Sequence, residues 1–95
     1  MKTDHSQRIN NFYKALLTLK TPEECDKFFE DICTVKELQD ISQRFEVAMM
    51  LDRGKVYTEI AAETGASTAT ISRVNRCYNY GSGGYKLAIE RTKNE

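Results

Sequence analysis

The side chains able to do chemistry in this chain lie between Lys55 and Arg76, and their types suit recognition better than bond-making. Ser67, Thr68, Ala69 and Ser72 are small enough to approach base edges closely in a DNA major groove, and a threonine can touch a thymine methyl. Arg73 and Arg76 are long enough to reach guanine edges or flanking phosphates. Upstream, Lys55, Tyr57 and Thr58 begin a segment whose backbone amides and hydroxyls can hold a phosphate. Catalysis finds little material. The one histidine, His5, sits near a terminus, and no nucleophile–base pair is apparent, so an enzyme is not expected. Cys25, Cys33 and Cys77 contain no Cys-x-x-Cys pair, so neither a metal site nor a cofactor is expected.

The recognition residues need a frame, and the spacing supplies one. Ala61 is followed after four residues by Gly65, after six more by Ile71 and after three more by Val74. Two short helices can cross closely at the alanine, turn at the glycine and lock through Ile71 and Val74. The pattern predicts a helix-turn-helix, with Thr58 capping a helix over 58–64 and Ser67 capping another over 67–78. On the second helix Ile71 and Val74 face inward, Ala69, Arg73 and Arg76 face outward, and Ser72 lies on the flank. The tip carrying Ser67 and Thr68 is the end that enters the groove in this arrangement.

Charge agrees once it is divided. The 95 residues sum to zero. Residues 1–52 hold seven Lys/Arg against ten Asp/Glu (−3), and residues 53–86 hold five against two (+3), so an anionic partner has one preferred side. The odd cysteine count and the absence of a signal peptide fit a reducing cytoplasm, and no apolar run approaches membrane-spanning length.

The rest of the chain reads as helices in a single 95-residue domain. Ile9, Phe12, Tyr13, Leu16 and Leu17 share one helical face, as do Cys25, Phe28, Phe29, Ile32 and Cys33. Thr21-Pro22-Glu23-Glu24 marks the start of the second helix, and a capping box at Thr34–Glu37 starts a third that runs to about Arg53, with Gly54 as its stop. Phe45, Val47, Ala48, Met49, Met50 and Leu51 make the second half of that helix apolar on nearly all sides. In so small a domain this predicts burial against a second copy of the chain. Residues 1–54 are thus assigned to dimerisation, 55–78 to the helix-turn-helix, and 79–95 to a hinge and a last helix, roughly Tyr85–Thr92. Gly81-Ser82-Gly83-Gly84 reads as the hinge, because no strand precedes it and no Gly-Lys-Ser/Thr ending follows. Tyr78, Tyr80 and Tyr85 read as packing around it, and residues 1–5 and 93–95 as frayed ends.

The run Thr34-Val35-Lys36-Glu37-Leu38 through Arg44 to Leu51-Asp52-Arg53-Gly54, followed by Ala69-Thr70-Ile71-Ser72-Arg73, resembles the Trp repressor family. The stretch Arg76-Cys77-Tyr78-Asn79-Tyr80-Gly81-Ser82-Gly83-Gly84-Tyr85 is similar to its YerC/YecD-like branch. The resemblance implies an all-α, six-helix, intertwined homodimer whose helix-turn-helix heads project outward, and a transcriptional regulator, a repressor, on a palindromic double-stranded DNA operator. It also implies a small-molecule effector pocket, with Thr34, Arg44, Arg73 and Cys77 at the matching positions. Two departures argue against tryptophan as the effector. Val74 stands where tryptophan-responsive members carry a glycine, and Cys77, a weak hydrogen-bonding group, replaces a serine. Other readings of the same residues are a helix pair packed only for structure, a protein–protein adaptor using the helix-turn-helix surface, and a sensor of a different effector.

Overall fold

A computed structural model describes residues 5–94. These residues form six helices: α1 (His5–Leu16), α2 (Pro22–Ile32), α3 (Val35–Asp52), α4 (Tyr57–Thr64), α5 (Thr68–Tyr80) and α6 (Gly84–Lys93). None of them is long and apolar enough to cross a membrane. By their contacts the residues group into two compact units, divided between Leu38 and Gln39 within α3.

The first unit contains α1, α2 and the first turn of α3. Local chemistry sets its boundaries. Thr21 Oγ1 accepts the Glu24 N–H (3.1 Å), Pro22 occupies the first turn of α2, and the Lys20 N–H donates to Glu24 Oε1 (2.9 Å). The box before α3 is reciprocal: Thr34 Oγ1 accepts from Glu37 N (3.1 Å), and Glu37 Oε1 accepts from Thr34 N (2.8 Å). The apolar faces meet through Phe12, stacked on Phe28 at 5.9 Å between ring centroids, with Phe28 edge-on to Phe29 at 5.6 Å. No residue of α1 or α2 is buried, and Leu17 (84%) and Val35 (75%) stand largely in solvent.

The second unit has a closed core. Val47, Ala48 and Met50 of α3 are buried with Ile60 of α4, Ala66 of the turn, Ile71 and Val74 of α5, and Ile89 of α6. Phe45, Met49 and Leu51 pack half-buried around it. The later helices of the same chain therefore cover much of the apolar half of α3, which the sequence pattern assigns to a partner subunit. An expectation from the preceding helices alone misses this, because the covering residues arrive later in the chain.

Helix ends depart from expectation in several places. α3 stops at Asp52, and the Gly54 N–H caps the Leu51 carbonyl at 3.0 Å. α4 begins at Tyr57, so Thr58 lies inside the helix and is not its cap; Glu59 instead folds back to accept the Val56 N–H at 3.1 Å. α5 runs on to Tyr80 and α6 from Gly84 to Lys93. His5 and Lys93, expected to fray, are helical, while residues 1–4 and 95 of those segments lie outside the described residues. Tyr78 and Tyr85 pack against the core as expected, but Tyr80 does not and is exposed.

Candidate nucleic-acid interface

α4, the turn at 65–67 and α5 all lie in the second unit. Gly65 closes α4 in the left-handed region at φ 75°, its N–H on the Ala61 carbonyl at 2.9 Å, and the chain reverses there at little cost only because the residue lacks a Cβ. Thr64 ties the turn from both sides: its hydroxyl donates to the Ile60 carbonyl (2.7 Å) and accepts the Ala66 N–H (3.1 Å). Ser67 caps α5 as the sequence predicts, accepting the Thr70 N–H at 3.1 Å and donating to Thr70 Oγ1 at 3.1 Å. Two helices thus enter and leave a turn in which hydrogen bonds replace flexibility.

α5 is two-faced. Ile71 and Val74 are buried, with Tyr78 half-buried on the same stripe. Ala69, Arg73 and Arg76 are exposed on the opposite stripe and Ser72 is half-buried between them. Thr68 is exposed at the N-terminal tip, where unpaired backbone N–H groups and the helix dipole favour anions. Neither Arg73 nor Arg76 is engaged by a carboxylate among the described residues, so both guanidinium groups are available to an external acceptor. Lys55 and Thr58 are exposed around the start of α4, whereas Tyr57 is half-buried against the core.

The residues assigned to an effector pocket fall in both units. Thr34 belongs to the first unit, where its hydroxyl caps α3. In the second unit Arg44 is half-buried on α3, Arg73 is exposed, and exposed Cys77 lines an open groove with Gly81, Ser82, Gly84 and Tyr85. Val74 puts its isopropyl group into the closed core.

Two residues that position the head escape a reading of the sequence. Gln43 Nε2 donates to the Thr64 carbonyl (3.0 Å), tying α3 to the turn across 21 residues. Asp52 accepts the Tyr78 hydroxyl at 2.6 Å and Lys93 Nζ at 2.6 Å. A carboxylate in the last turn of a helix lies against the negative end of the dipole, and that misplacement is the one signal that Asp52 has distant partners. Its carboxyl is held below the ordinary value chiefly by the Lys93 hydrogen bond and then by the Tyr78 bond, and the same contact pushes the Tyr78 phenol upward.

The chain matches the sequence pattern of the Trp repressor protein family over residues 7–93. It is 51% identical over 87 residues to the uncharacterized protein YerC of Bacillus subtilis (strain 168), covering 92% of this chain and 84% of YerC. Among solved structures, it is similar to a TrpR-like protein from Eubacterium eligens (TM-score 0.89, 52% identity, 92% of this chain and 90% of that one). It is also similar to a proposed Trp repressor from Staphylococcus aureus (TM-score 0.88, 45% identity, 93% and 88%).

Proposed function

The chain belongs to the Trp repressor family, and from that premise we propose that it is a homodimeric, sequence-specific DNA-binding regulator that represses transcription. The observation that carries the reading is the exposed stripe of Ala69, Arg73 and Arg76 directly behind a buried Ile71–Val74 seam. Such a helix is held rigidly from one side and offers donors from the other, which is the geometry needed to read a major groove. Thr68, Ala69 and Ser72 meet base edges; Arg73 and Arg76 reach bases or phosphates; Lys55, Thr58, Ser67 and the Tyr57 hydroxyl hold the backbone.

Residues 1–54 supply dimerisation, 55–78 the reading head, and 79–95 the link and last helix. The apolar side chains that the first unit leaves in solvent, Leu17 and Val35 foremost, support a second copy as the covering partner. A dyad-related pair of heads selects a palindromic operator with half-sites about one helical turn apart, and occupancy blocks the promoter. An effector, where one acts through Arg44, Arg73 and Cys77, is proposed to be other than tryptophan. An indole beside Arg73 would have to displace Val74 from a packed core, and such overpacking costs about 1–3 kcal/mol.

The test is enrichment of bound duplexes from random or genomic DNA, followed by a salt titration of the best one. Affinity is expected to fall log-linearly with salt, and Arg76→Ala to make the slope shallower by about one if that arginine meets a phosphate. A protein that retains no duplex above background at low salt would end the proposal.

A further inference from the structure

Asp52 is the only point at which one side chain of α3 grips both α5 and α6 among the hydrogen bonds of the described residues. One carboxylate oxygen accepts from Tyr78 on α5, and the other accepts from Lys93, the last residue of α6. A second residue of α6 joins the cluster: Lys86 Nζ lies 5.0 Å from the centroid of the Tyr78 ring, within cation–π range. Between α5 and α6 the link is only residues 81–83. It leaves α5 abruptly, because a Cβ at Gly81 would lie 2.3 Å from the Cys77 carbonyl oxygen, an approach only glycine permits. The turn and the carboxylate therefore act on the same last stretch of α5.

We infer that Asp52 and Tyr78 are positioning residues for the reading helix, and that they make the orientation of α5 depend on the docking of α6. The C-terminal helix is then a working part of the head. Leverage explains why this matters. Thr68 lies ten residues before Tyr78, a helical rise of about 15 Å, so a tilt of about 10° about Tyr78 moves the tip by roughly 2.5 Å. Hydrogen bonds to base edges tolerate only a few tenths of an ångström. Specific contacts are lost long before the fold is, while phosphate contacts, which depend on charge more than on angle, persist.

The consequence for affinity rests on the DNA-binding reading above; the latch itself does not. The experiment uses the full chain as wild type and as Tyr78→Phe, Asp52→Ala, Asp52→Asn and Lys93→Ala, with two measurements. Amide exchange of the free protein reports whether α6 is latched. Binding to the best duplex selected by the wild type, and to a scrambled duplex, reports the position of α5. Asp52→Ala, which removes both bonds, is expected to speed exchange through α6 and to weaken the selected duplex about tenfold. Tyr78→Phe, which leaves both α6 contacts in place, is expected to weaken that duplex similarly without speeding α6 exchange. Both leave the scrambled duplex and the salt slope unchanged. Asp52→Asn, whose amide oxygen still accepts the phenol proton, is expected to recover most of the lost affinity. Lys93→Ala, which cuts the hydrogen bond from Asp52 to α6, is expected to speed α6 exchange and to weaken the selected duplex less than Asp52→Ala does. Unchanged α6 exchange in Asp52→Ala and Lys93→Ala, equal losses on both duplexes, or Asp52→Asn behaving like Asp52→Ala in affinity would overturn the inference. Should Asp52→Ala fail to fold, Lys93→Ala by its α6 exchange and Tyr78→Phe by its affinity decide the matter. A wild type that binds no duplex defeats the DNA reading alone, and exchange then decides the latch: faster α6 exchange in Lys93→Ala supports it, unchanged exchange refutes it.

Discussion

The two units are made from similar amphipathic helices and reach opposite ends. Residues 39–94 bury eight apolar side chains completely enough to exclude water, whereas residues 5–38 bury none, although Phe12, Phe28 and Phe29 form a ring cluster there. An apolar face is only a request for cover. In the second unit the request is met from within, because α3, α4, α5 and α6 each contribute to one cluster. Two helices and a turn cannot close a core around themselves, so the first unit keeps Leu17 and Val35 in solvent. One unit closes a core of its own, and the other leaves part of its apolar surface open.

Substitutions can break this contrast or sharpen it. The largest effect is expected in the closed core: Ile60→Ala should cost about 2–5 kcal/mol of unfolding free energy in a denaturant titration, since Ile60 is fully buried and its neighbours are fixed by the turn. A loss below about 1 kcal/mol would mean that the core is looser than its burial implies. Next comes the open unit. Leu17→Glu with Val35→Glu touches nothing buried in one chain, yet should turn a dimer into monomer by sedimentation, at a loss of about 2 kcal/mol or more for each apolar group removed from an interface. An unaltered sedimentation profile would place the partner surface elsewhere.

A smaller effect belongs to the turn. Gly65→Ala meets no obstacle closer than Gln43 Nε2 at 4.0 Å, so its cost should be the backbone strain of φ 75° alone, about 1–2 kcal/mol in thermal unfolding. The smallest effect is in pH. Lys93 and then Tyr78 hold the Asp52 carboxyl below its ordinary 3.8, so its contribution is whole above that value and is lost as pH falls through the folded one. Tyr78 is raised above its ordinary 10.0, chiefly by its bond to Asp52, so its contribution is whole below that value and is lost as pH rises through the folded one. Asp52→Asn should therefore lower the plateau of the stability–pH curve between about pH 5 and 9 slightly, flatten both arms and converge on the wild type at the acid and alkaline extremes. A wild-type curve that already lacks the acid arm would remove the Lys93 contact from consideration.

Much of the head was legible in residue types because its determinants are local. Gly65 must reverse the chain, Ser67 must cap, and Ile71 and Val74 recur at helical spacing; each acts on neighbours within a turn or two. Thr58 misled because a hydroxyl before an apolar run imitates a cap, whereas Glu59 reaching back to Val56 does the same work from three residues ahead. Tyr80 misled because a tyrosine beside two packed tyrosines shares their chemistry but falls on the other side of α5.

By itself the order of residues determined the six helices, the turn between α4 and α5, and the stripe that faces outward, since hydrogen bonds and helical periodicity operate over a few positions. Only the tertiary structure decided that the apolar half of α3 is covered largely by the chain's own later helices. Only it revealed that Gln43 and Asp52 brace the head across 21 to 41 residues. Contacts at that separation depend on where whole helices come to rest, and no local pattern encodes the meeting of Asp52, Tyr78 and Lys93 at one carboxylate.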